Sequence, residues 1–109
     1  MPSTDVRARA IAAFRFRALG DETRLRIMEM LVAGECSVSE LTSGVDVGQS
    51  LMSHHLRILR EAGLVSDRRK GRWVYYAIVE SALGAMRLFL YGLEPLRSAT
   101  TPGRPAAQE

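Results

Sequence analysis

The chain has 109 residues, of which 47% are hydrophobic and 25% charged, a composition typical of one folded domain rather than a disordered chain. One cysteine excludes an internal disulfide framework, and the lack of any apolar run near about 18 residues excludes a membrane span. The formal net charge is +3, and all of the excess lies in residues 54–72, where six Arg or Lys stand against two acidic residues.

Apolar residues at helical spacing predict two helices before residue 35. The first covers residues 5–19 and ends at Gly20. The second follows the N-cap candidate Asp21 and ends at about Ala33, before Gly34. Its inward face is predicted to consist of Leu25, Met28, Leu31 and Val32.

Two shorter helices are predicted between residues 37 and 62. Ser37 and Glu40 fit a capping box at the start of the third helix, which Ser43-Gly44 is expected to end. The fourth helix is predicted over 49–62 with Gly63 as its stop. Its inward residues are predicted to be Met52, Leu56 and Leu59.

The residue pattern then changes to that of strands. Residues 73–78 are rich in β-branched and aromatic types, and together with residues 65–69, which begin at Val65, they flank a turn that contains Gly71, which predicts a hairpin. One of the aromatic residues Trp73, Tyr75 and Tyr76 is expected to pack beneath it. A last, strongly apolar helix is predicted over 80–97, and residues 98–109 read as a disordered tail.

The fold predicted from these elements is mainly α with a small β-hairpin, in the order α-α-α-α-β-β-α, which is a winged helix-turn-helix. Residues 1–97 are taken as one folded domain, with 98–109 as the tail. The N-terminus has no apolar core of the signal-peptide kind, so a cytoplasmic location is expected.

Polar and basic side chains predict contact with double-stranded DNA at two elements. In a helix-turn-helix the second helix enters the major groove, where Gln, Ser and Arg can bond base edges or phosphates. The alternatives are an ordinary amphipathic surface helix and a solvated, charged turn. The predicted DNA-binding residues are Gln49, Ser50, Ser53, His54 and Arg57 on the helix and Arg68, Arg69, Lys70 and Arg72 on the hairpin.

The runs QSLMSHHLRILREAGLV (49–65) and RRKGRWVYY (68–76) resemble the recognition helix and wing of the ArsR/SmtB regulators. DETRLRI (21–27) is similar to the start of their second helix. The resemblance covers roughly residues 10–95. It implies a winged-helix homodimer that binds operator DNA, usually as a repressor released by an effector, and that pairs through its first and last helices.

The apolar terminal helix independently favours a dimer, because a monomer would expose a large apolar area. A two-fold pair would cover it and set two recognition helices about one DNA turn apart. The alternative is that this helix only completes the core of one chain. The predicted interface residues are Val6, Ala10, Phe14, Leu83, Met86, Phe89, Leu90 and Leu93.

The resemblance also indicates which metal sites to look for. The family's Cys-x-Cys pair on the third helix corresponds to Ser37 and Ser39, with Cys36 one place off, and a hydroxyl is a poor ligand for soft metals. The last helix lacks the Asp and His of a second family site. His55 is expected to belong to the helix scaffold and Cys36 to be a small buried residue. We therefore predict no metal ligands and no cofactor, with a non-standard nickel or zinc site as the alternative.

No phosphate-binding loop, metal-hydrolase spacing or nucleophile elbow is present in the sequence, so an enzyme is not predicted. The function predicted is a sequence-specific, effector-responsive transcriptional repressor that binds operator DNA as a homodimer. One alternative is the DNA-binding subunit of a two-protein system whose partner protein carries the sensor.

Overall fold

Five helices and a three-stranded antiparallel sheet make up residues 5–96, the part of the chain that this computed structural model describes. The mainly helical winged helix-turn-helix prediction is confirmed, whereas the predicted tail, 98–109, lies outside the described residues. In chain order the elements are α1 (Val6–Leu19), α2 (Glu22–Leu31), β1 (Cys36–Ser37), α3 (Val38–Val45), α4 (Gln49–Glu61), β2 (Val65–Lys70), β3 (Trp73–Ile78) and α5 (Glu80–Leu93).

Side-chain caps fix the starts of the first three helices. The Asp21 carboxylate accepts a hydrogen bond from the Arg24 amide at 3.1 Å, and Asp5 accepts one from Ala8 at 3.0 Å. The Ser37 hydroxyl accepts from the Glu40 amide while the Glu40 carboxylate accepts from the Ser37 amide, so the predicted capping box is present. Each cap satisfies an amide that the helix itself leaves unpaired.

The predicted end of α3 at Ser43-Gly44 is wrong. The helix continues to Val45 and ends at Asp46, which adopts the left-handed conformation with φ 63°. Gly44 has a packing role instead, because a Cβ built on it would lie 2.5 Å from the Met30 methyl carbon. Its missing side chain leaves room for the end of the Met30 side chain on α2.

The sheet has the strand order β1-β3-β2. Lys70 pairs with Trp73, leaving Gly71 and Arg72 as a two-residue turn in which Gly71 has φ 62°. Strand β1 was not predicted. Its Cys36 pairs with Tyr76 on the edge of β3 that faces away from β2. This third strand ties the hairpin to the segment that leads into α3.

The core lies between α2, α3, α4 and the sheet. The predicted inward residues of α4 are all buried, but the predicted face of α2 is wrong in two places: Leu25 is 46% exposed and Val32 77% exposed. Ile27 is fully buried instead. The largest fully buried side chains are Ile27, Leu41, Val45, Met52, Leu59 and Leu64.

Helices α1 and α5 contact each other at the edge of this core. Helix α5 ends at Leu93, earlier than predicted. Met86, which was assigned to the dimer interface, is only 4% exposed and belongs to the core of the single chain. Among residues 5–96 there is no helix with the length and apolar character needed to span a bilayer.

Candidate nucleic-acid interface

Helix α4 presents one apolar and one polar face. Met52, Leu56 and Leu59 point into the core, while every predicted contact residue on the helix, namely Gln49, Ser50, Ser53, His54 and Arg57, is exposed. Gln49, Ser53 and Arg57 follow one another at intervals of four residues and therefore form one stripe along the helix. Such a stripe is what a helix needs to reach the floor and walls of the major groove.

A part-buried polar cluster, in which only His55 is itself buried, joins the inner side of α4 to the start of α2. The Nδ1 atom of His55 lies 3.1 Å from Nη1 of Arg24, and Arg24 Nε donates to the Ala18 carbonyl at 2.5 Å. The Asp21 carboxylate is 4.0 Å from His55 Nδ1. His55 is thus a residue of the scaffold, as predicted.

The environment of this cluster favours the uncharged form of His55. Loss of hydration on burial lowers the pKa of His55 below its ordinary value, and the adjacent Arg24 cation acts in the same direction against the opposing charge of Asp21. The pKa of Asp21 is lowered chiefly by the hydrogen bond from the Arg24 amide. A neutral imidazole nitrogen can then accept a hydrogen bond from Arg24.

A second contact fixes the other end of α4. Arg15 on α1 donates from Nε to the carbonyl of Ala62 at 2.9 Å, which satisfies one of the acceptors left open at a helix C-terminus. Gly63 follows with φ 77°, and its missing Cβ leaves room for the Arg15 guanidinium. Helix α1 therefore contacts the end of the recognition helix directly.

The wing, defined here as β2, β3 and their turn, carries four exposed cations, Arg68, Arg69, Lys70 and Arg72. Arg68 differs from the others because Glu35 holds it: Arg68 Nε donates to Glu35 Oε2 at 3.0 Å, and a second bond joins Nη2 to Oε1. The guanidinium also lies 5.0 Å from the centre of the Tyr75 ring. The hydrogen bond from Arg68 lowers the pKa of Glu35.

One side chain thus links β2, β3 and the segment that precedes β1. Arg68 lies on β2, Tyr75 on the central strand, and Glu35 directly before β1. In the free protein Arg68 is neutralised by its partner. Its predicted contact with DNA stays a prediction, and it would require Arg68 to exchange Glu35 for phosphate.

The aromatic residues of β3 divide between core and surface. Tyr76 is buried, so the expectation that one aromatic residue packs beneath the hairpin is confirmed. Trp73 is 45% exposed, and the Arg72 guanidinium lies 5.5 Å from the centre of its ring. This cation–π contact places the guanidinium of the exposed Arg72 over the Trp73 ring.

A cleft of about 700 Å³ separates the wing from the helix-turn-helix, and we call it the α3–wing cleft. Sequence analysis did not predict it, because its walls come from segments distant in the sequence. Its polar lining residues include Ser39 and Ser43 of α3, Gln49 and Ser53 of α4, and Arg72 with Trp73 of the wing.

The residues at the family's metal positions have other roles in this chain. Ser37 is buried and acts as the N-cap of α3. Cys36 is half-buried against the core, and burial raises the pKa of its thiol. Across residues 5–96 no three or more His, Cys, Asp or Glu side chains are grouped so that they could hold a metal ion.

An apolar surface covers the outer sides of α1 and α5. The predicted interface residues Val6, Phe14, Leu90 and Leu93 are exposed, with Val6 at 70% and Leu93 at 65%, whereas Leu83 and Phe89 are half-buried. Ile11, Leu88 and Tyr91, which were not among the predicted residues, are also exposed on these two helices. A small cavity of about 220 Å³ between the helices is lined by Ile11, Arg15, Met86 and Phe89 among others.

Comparisons with known proteins agree with this architecture. Residues 21–67 match the family described as bacterial regulatory protein, arsR family. The chain is similar to the arsenic resistance transcriptional regulator ArsR1 of Pseudomonas putida, with 51% identity over 65 residues that make up 58% of this chain. The match spans 50% of that relative, so the chain covers about half of its length.

Two further similarities cover a larger share of the matched protein than the similarity to ArsR1 does. The chain is 34% identical to the transcriptional repressor SdpR of Bacillus subtilis over 68 residues, which are 62% of this chain and 76% of that protein. The solved structure of an ArsR-like transcriptional regulator from Rhodococcus sp. RHA1 superimposes with a TM-score of 0.75 and 31% identity, covering 81% of this chain and 83% of that one.

Proposed function

This chain belongs to the arsR family of bacterial regulatory proteins, which are DNA-binding transcriptional regulators rather than enzymes, and we propose that it represses transcription by binding operator DNA as a homodimer. The proposal of repression draws on the name of the Bacillus subtilis relative. Recognition is assigned to the predicted residues of α4, and attachment to the DNA backbone to the wing cations.

The observation that supports DNA binding best is the shared exposure of two kinds of side chain on adjacent elements. The polar stripe of α4 and the cations of the wing are all exposed to solvent, and Gln49, Ser53 and Arg72 line the same cleft. Gln can bond adenine through two hydrogen bonds and Arg can do the same with guanine, while Arg and Lys neutralise phosphate. This surface therefore offers base reading and charge neutralisation together.

The homodimer is supported by the apolar surface of α1 and α5. Leu90, Leu93 and Val6 would remain in contact with water in a single chain, which is unfavourable for a surface of this extent. A two-fold axis through these helices would present two copies of α4 to two half-sites.

We further propose that the signal to which the repressor responds is not a soft metal bound on α3. Ser37 is already committed to the capping box, and Ser39 offers only a hydroxyl. One alternative is a nickel or zinc site assembled from two subunits, which the experiment below tests. The other is a separate sensor protein that contacts this chain.

The test is a gel shift with the duplex that lies directly upstream of the protein's own gene. We expect a retarded band at nanomolar protein that an unrelated duplex competes away only at large excess. Titration with Ni²⁺, Zn²⁺ and arsenite should leave the band unchanged. Release by Ni²⁺ or Zn²⁺ would establish the metal alternative, and failure to retard any duplex would refute the proposed function.

A further inference from the structure

We propose that the cavity between α1 and α5 binds a small hydrophobic monocarboxylate, and that the pairing of its carboxylate with Arg15 transmits the presence of this ligand to α4. The regulatory half of this inference rests on the proposed function and names the chemical class of the effector. The binding half depends on the cavity alone.

Small side chains create the space between the two helices. Helix α1 contributes four lining residues at spacings of three and four, which therefore share one face: Ala8, Ile11, Ala12 and Arg15. Helix α5 contributes Ala85, Met86 and Phe89. Because an alanine side chain ends at Cβ, the alanines leave room between the helices, and all of these walls belong to one chain.

The size of the cavity limits what it can hold. Its volume is about 220 Å³. An engineered apolar cavity of about 150 Å³ in another protein takes up benzene. The cavity therefore has room for one six-membered ring or a short alkyl chain together with a carboxylate, but not for a drug-sized ligand, whose pockets begin at about 300 Å³.

Arg15 is the feature that favours an anion. It is half-buried, and every other lining residue is apolar. Within residues 5–96 its guanidinium forms no ion pair, and its one hydrogen bond runs from Nε to the neutral carbonyl of Ala62. Its two Nη atoms are thus available to a carboxylate, which Arg binds through two parallel hydrogen bonds.

The contact of Arg15 with α4 supplies a route from the cavity to the DNA-binding surface. Ala62 is the C-cap residue of α4, and its carbonyl accepts from Arg15 Nε at 2.9 Å. A carboxylate is a stronger acceptor than a neutral carbonyl, so a bound ligand would draw the guanidinium towards the cavity. The end of α4 would then lose its contact with α1, and affinity for the operator should fall.

Calorimetric titration of the full chain with phenylacetate tests the binding half. Phenylacetamide has the same shape without the charge, and acetate has the charge without the ring. Phenylacetate should bind at least about tenfold more tightly than either compound, because the site combines apolar walls with a cation. In spectra of protein with ¹³C-labelled methionine methyl groups, Met86 should shift, whereas Met28, Met30 and Met52, which do not line the cavity, should not.

A matched pair of variants locates the site. Ala8→Leu fills the cavity from an exposed position on α1 and should abolish the binding of phenylacetate. Ala13→Leu makes the same change at an exposed position on the same helix that does not line the cavity, and should bind as the wild type does. Both variants keep the helix, since Leu and Ala have similar helix propensities.

Arg15→Gln tests the role of the cation. This variant should bind phenylacetate no more tightly than phenylacetamide, because the guanidinium that distinguishes the two compounds is gone. Its affinity for phenylacetamide should stay at the wild-type level, which shows that the cavity is intact. A preference for the acid that persists in Arg15→Gln would overturn the assignment of Arg15.

Gel shifts on the upstream duplex test the regulatory half. Saturating phenylacetate should weaken the binding of duplex by the wild type and have no effect on Ala8→Leu. Phenylacetate that binds the cavity of the wild type without changing its affinity for the duplex would overturn the regulatory half.

Failure of the cavity and failure of the proposed function give different results. Wild-type protein that retards the duplex but binds none of the three compounds, as it would if side chains of a second subunit filled the cavity, would overturn this inference and leave the regulator function standing. Equal affinity for phenylacetate and phenylacetamide would overturn the carboxylate assignment. Wild-type protein that retards no duplex would overturn the proposed function and the regulatory half together, while the calorimetry decides the binding half by itself.

Discussion

The inner side of α4 carries a buried histidine, His55, whose surroundings favour its uncharged form. Burial and the nearby Arg24 cation lower the pKa of His55, and only the Asp21 charge opposes them. Protonation would place a second positive charge beside Arg24 and remove the acceptor at 3.1 Å. The contact between α2 and the recognition helix is therefore sensitive to acidification.

We expect the free energy of unfolding to decrease as the pH falls from about 7.5 to about 5.5. The pKa of His55 lies below its ordinary value of 6.5 in the folded protein, so the unfolded chain takes up the proton first and gains stability as the pH drops. Asp21 acts outside this window, because its lowered pKa changes stability only below its ordinary value of 3.8. Urea unfolding at both pH values measures the effect.

The control for this prediction is the neighbouring histidine. His54→Gln alters an exposed side chain and should keep the full pH dependence, whereas His55→Gln should reduce it. Equal pH dependence in the two variants would contradict the role assigned to His55.

Residue types were a good guide to exposure on α4 but not to the partner of each charged group. Polar residues at helical spacing predicted which side of α4 faces water, because burying them without partners is costly. The count of positive charges on the hairpin, by contrast, assigned Arg68 to contact with DNA. Its ion pair with Glu35 joins residues that are 33 positions apart in the sequence, and no local pattern indicates such a contact.

At the scale of elements, the wing holds cations that differ in availability. Glu35→Gln should release Arg68 to phosphate, which we expect to tighten binding and steepen the salt dependence by about 0.9 per added contact. Gel shifts over a series of salt concentrations measure the slope.

Arg69→Ala/Lys70→Ala should flatten the salt dependence of binding by about two units on the same basis.

Glu35→Gln/Arg68→Ala is the matched control, since it removes the released cation and should return the slope to that of the wild type. A slope that does not change in Glu35→Gln would mean that Arg68 stays over Tyr75 when DNA is bound. The contacts of Arg68 with Glu35 and Tyr75 would then stabilise the sheet without a role in DNA binding.

The stability of the protein should be sensitive to a single added methyl group at the C-terminal end of α4. Gly63→Ala forces a side chain into the left-handed region and sets its Cβ 3.2 Å from the Arg15 guanidinium, so we expect a loss of stability of about 1–2 kcal/mol. Gly92→Ala lies in α5 with open space around it and should be neutral or stabilising by up to about 1 kcal/mol. Denaturant midpoints compare the two, and equal stability would contradict the account.

Element prediction succeeded where signals are local and failed where they are not. The capping box of α3 and the glycine turn of the wing are read from four or fewer adjacent residues. Strand β1 has two residues and exists only through its pairing with β3. The face of α2 was misjudged because apolar residues surround most of that helix, so periodicity alone could not choose Ile27 over Leu25.

For the molecule as a whole, the outer sides of α1 and α5 remain uncovered after the single chain has folded. Met86 belongs to the core, so the interface proposed for the dimer moves outward to Leu90, Leu93 and Val6. Arg15 lines the cavity between these helices and also donates to the Ala62 carbonyl at the end of α4. The surface that would pair two subunits is therefore one side chain away from the element that reads DNA.

Leu90→Glu is expected to convert the dimer into a monomer. Leu90 is half exposed in the single chain, so the charge is tolerated by the fold but would be buried without a partner in the dimer, at a cost of several kcal/mol. Val32→Glu alters a more exposed apolar residue directly after α2, outside the two helices assigned to the interface, and should remain dimeric. Analytical ultracentrifugation at micromolar concentration distinguishes the monomer from the dimer.

Because a monomer presents one recognition helix instead of two, Leu90→Glu should also lose most of its affinity for a two-half-site operator. A Leu90→Glu variant that sediments as a dimer would place the subunit contact elsewhere.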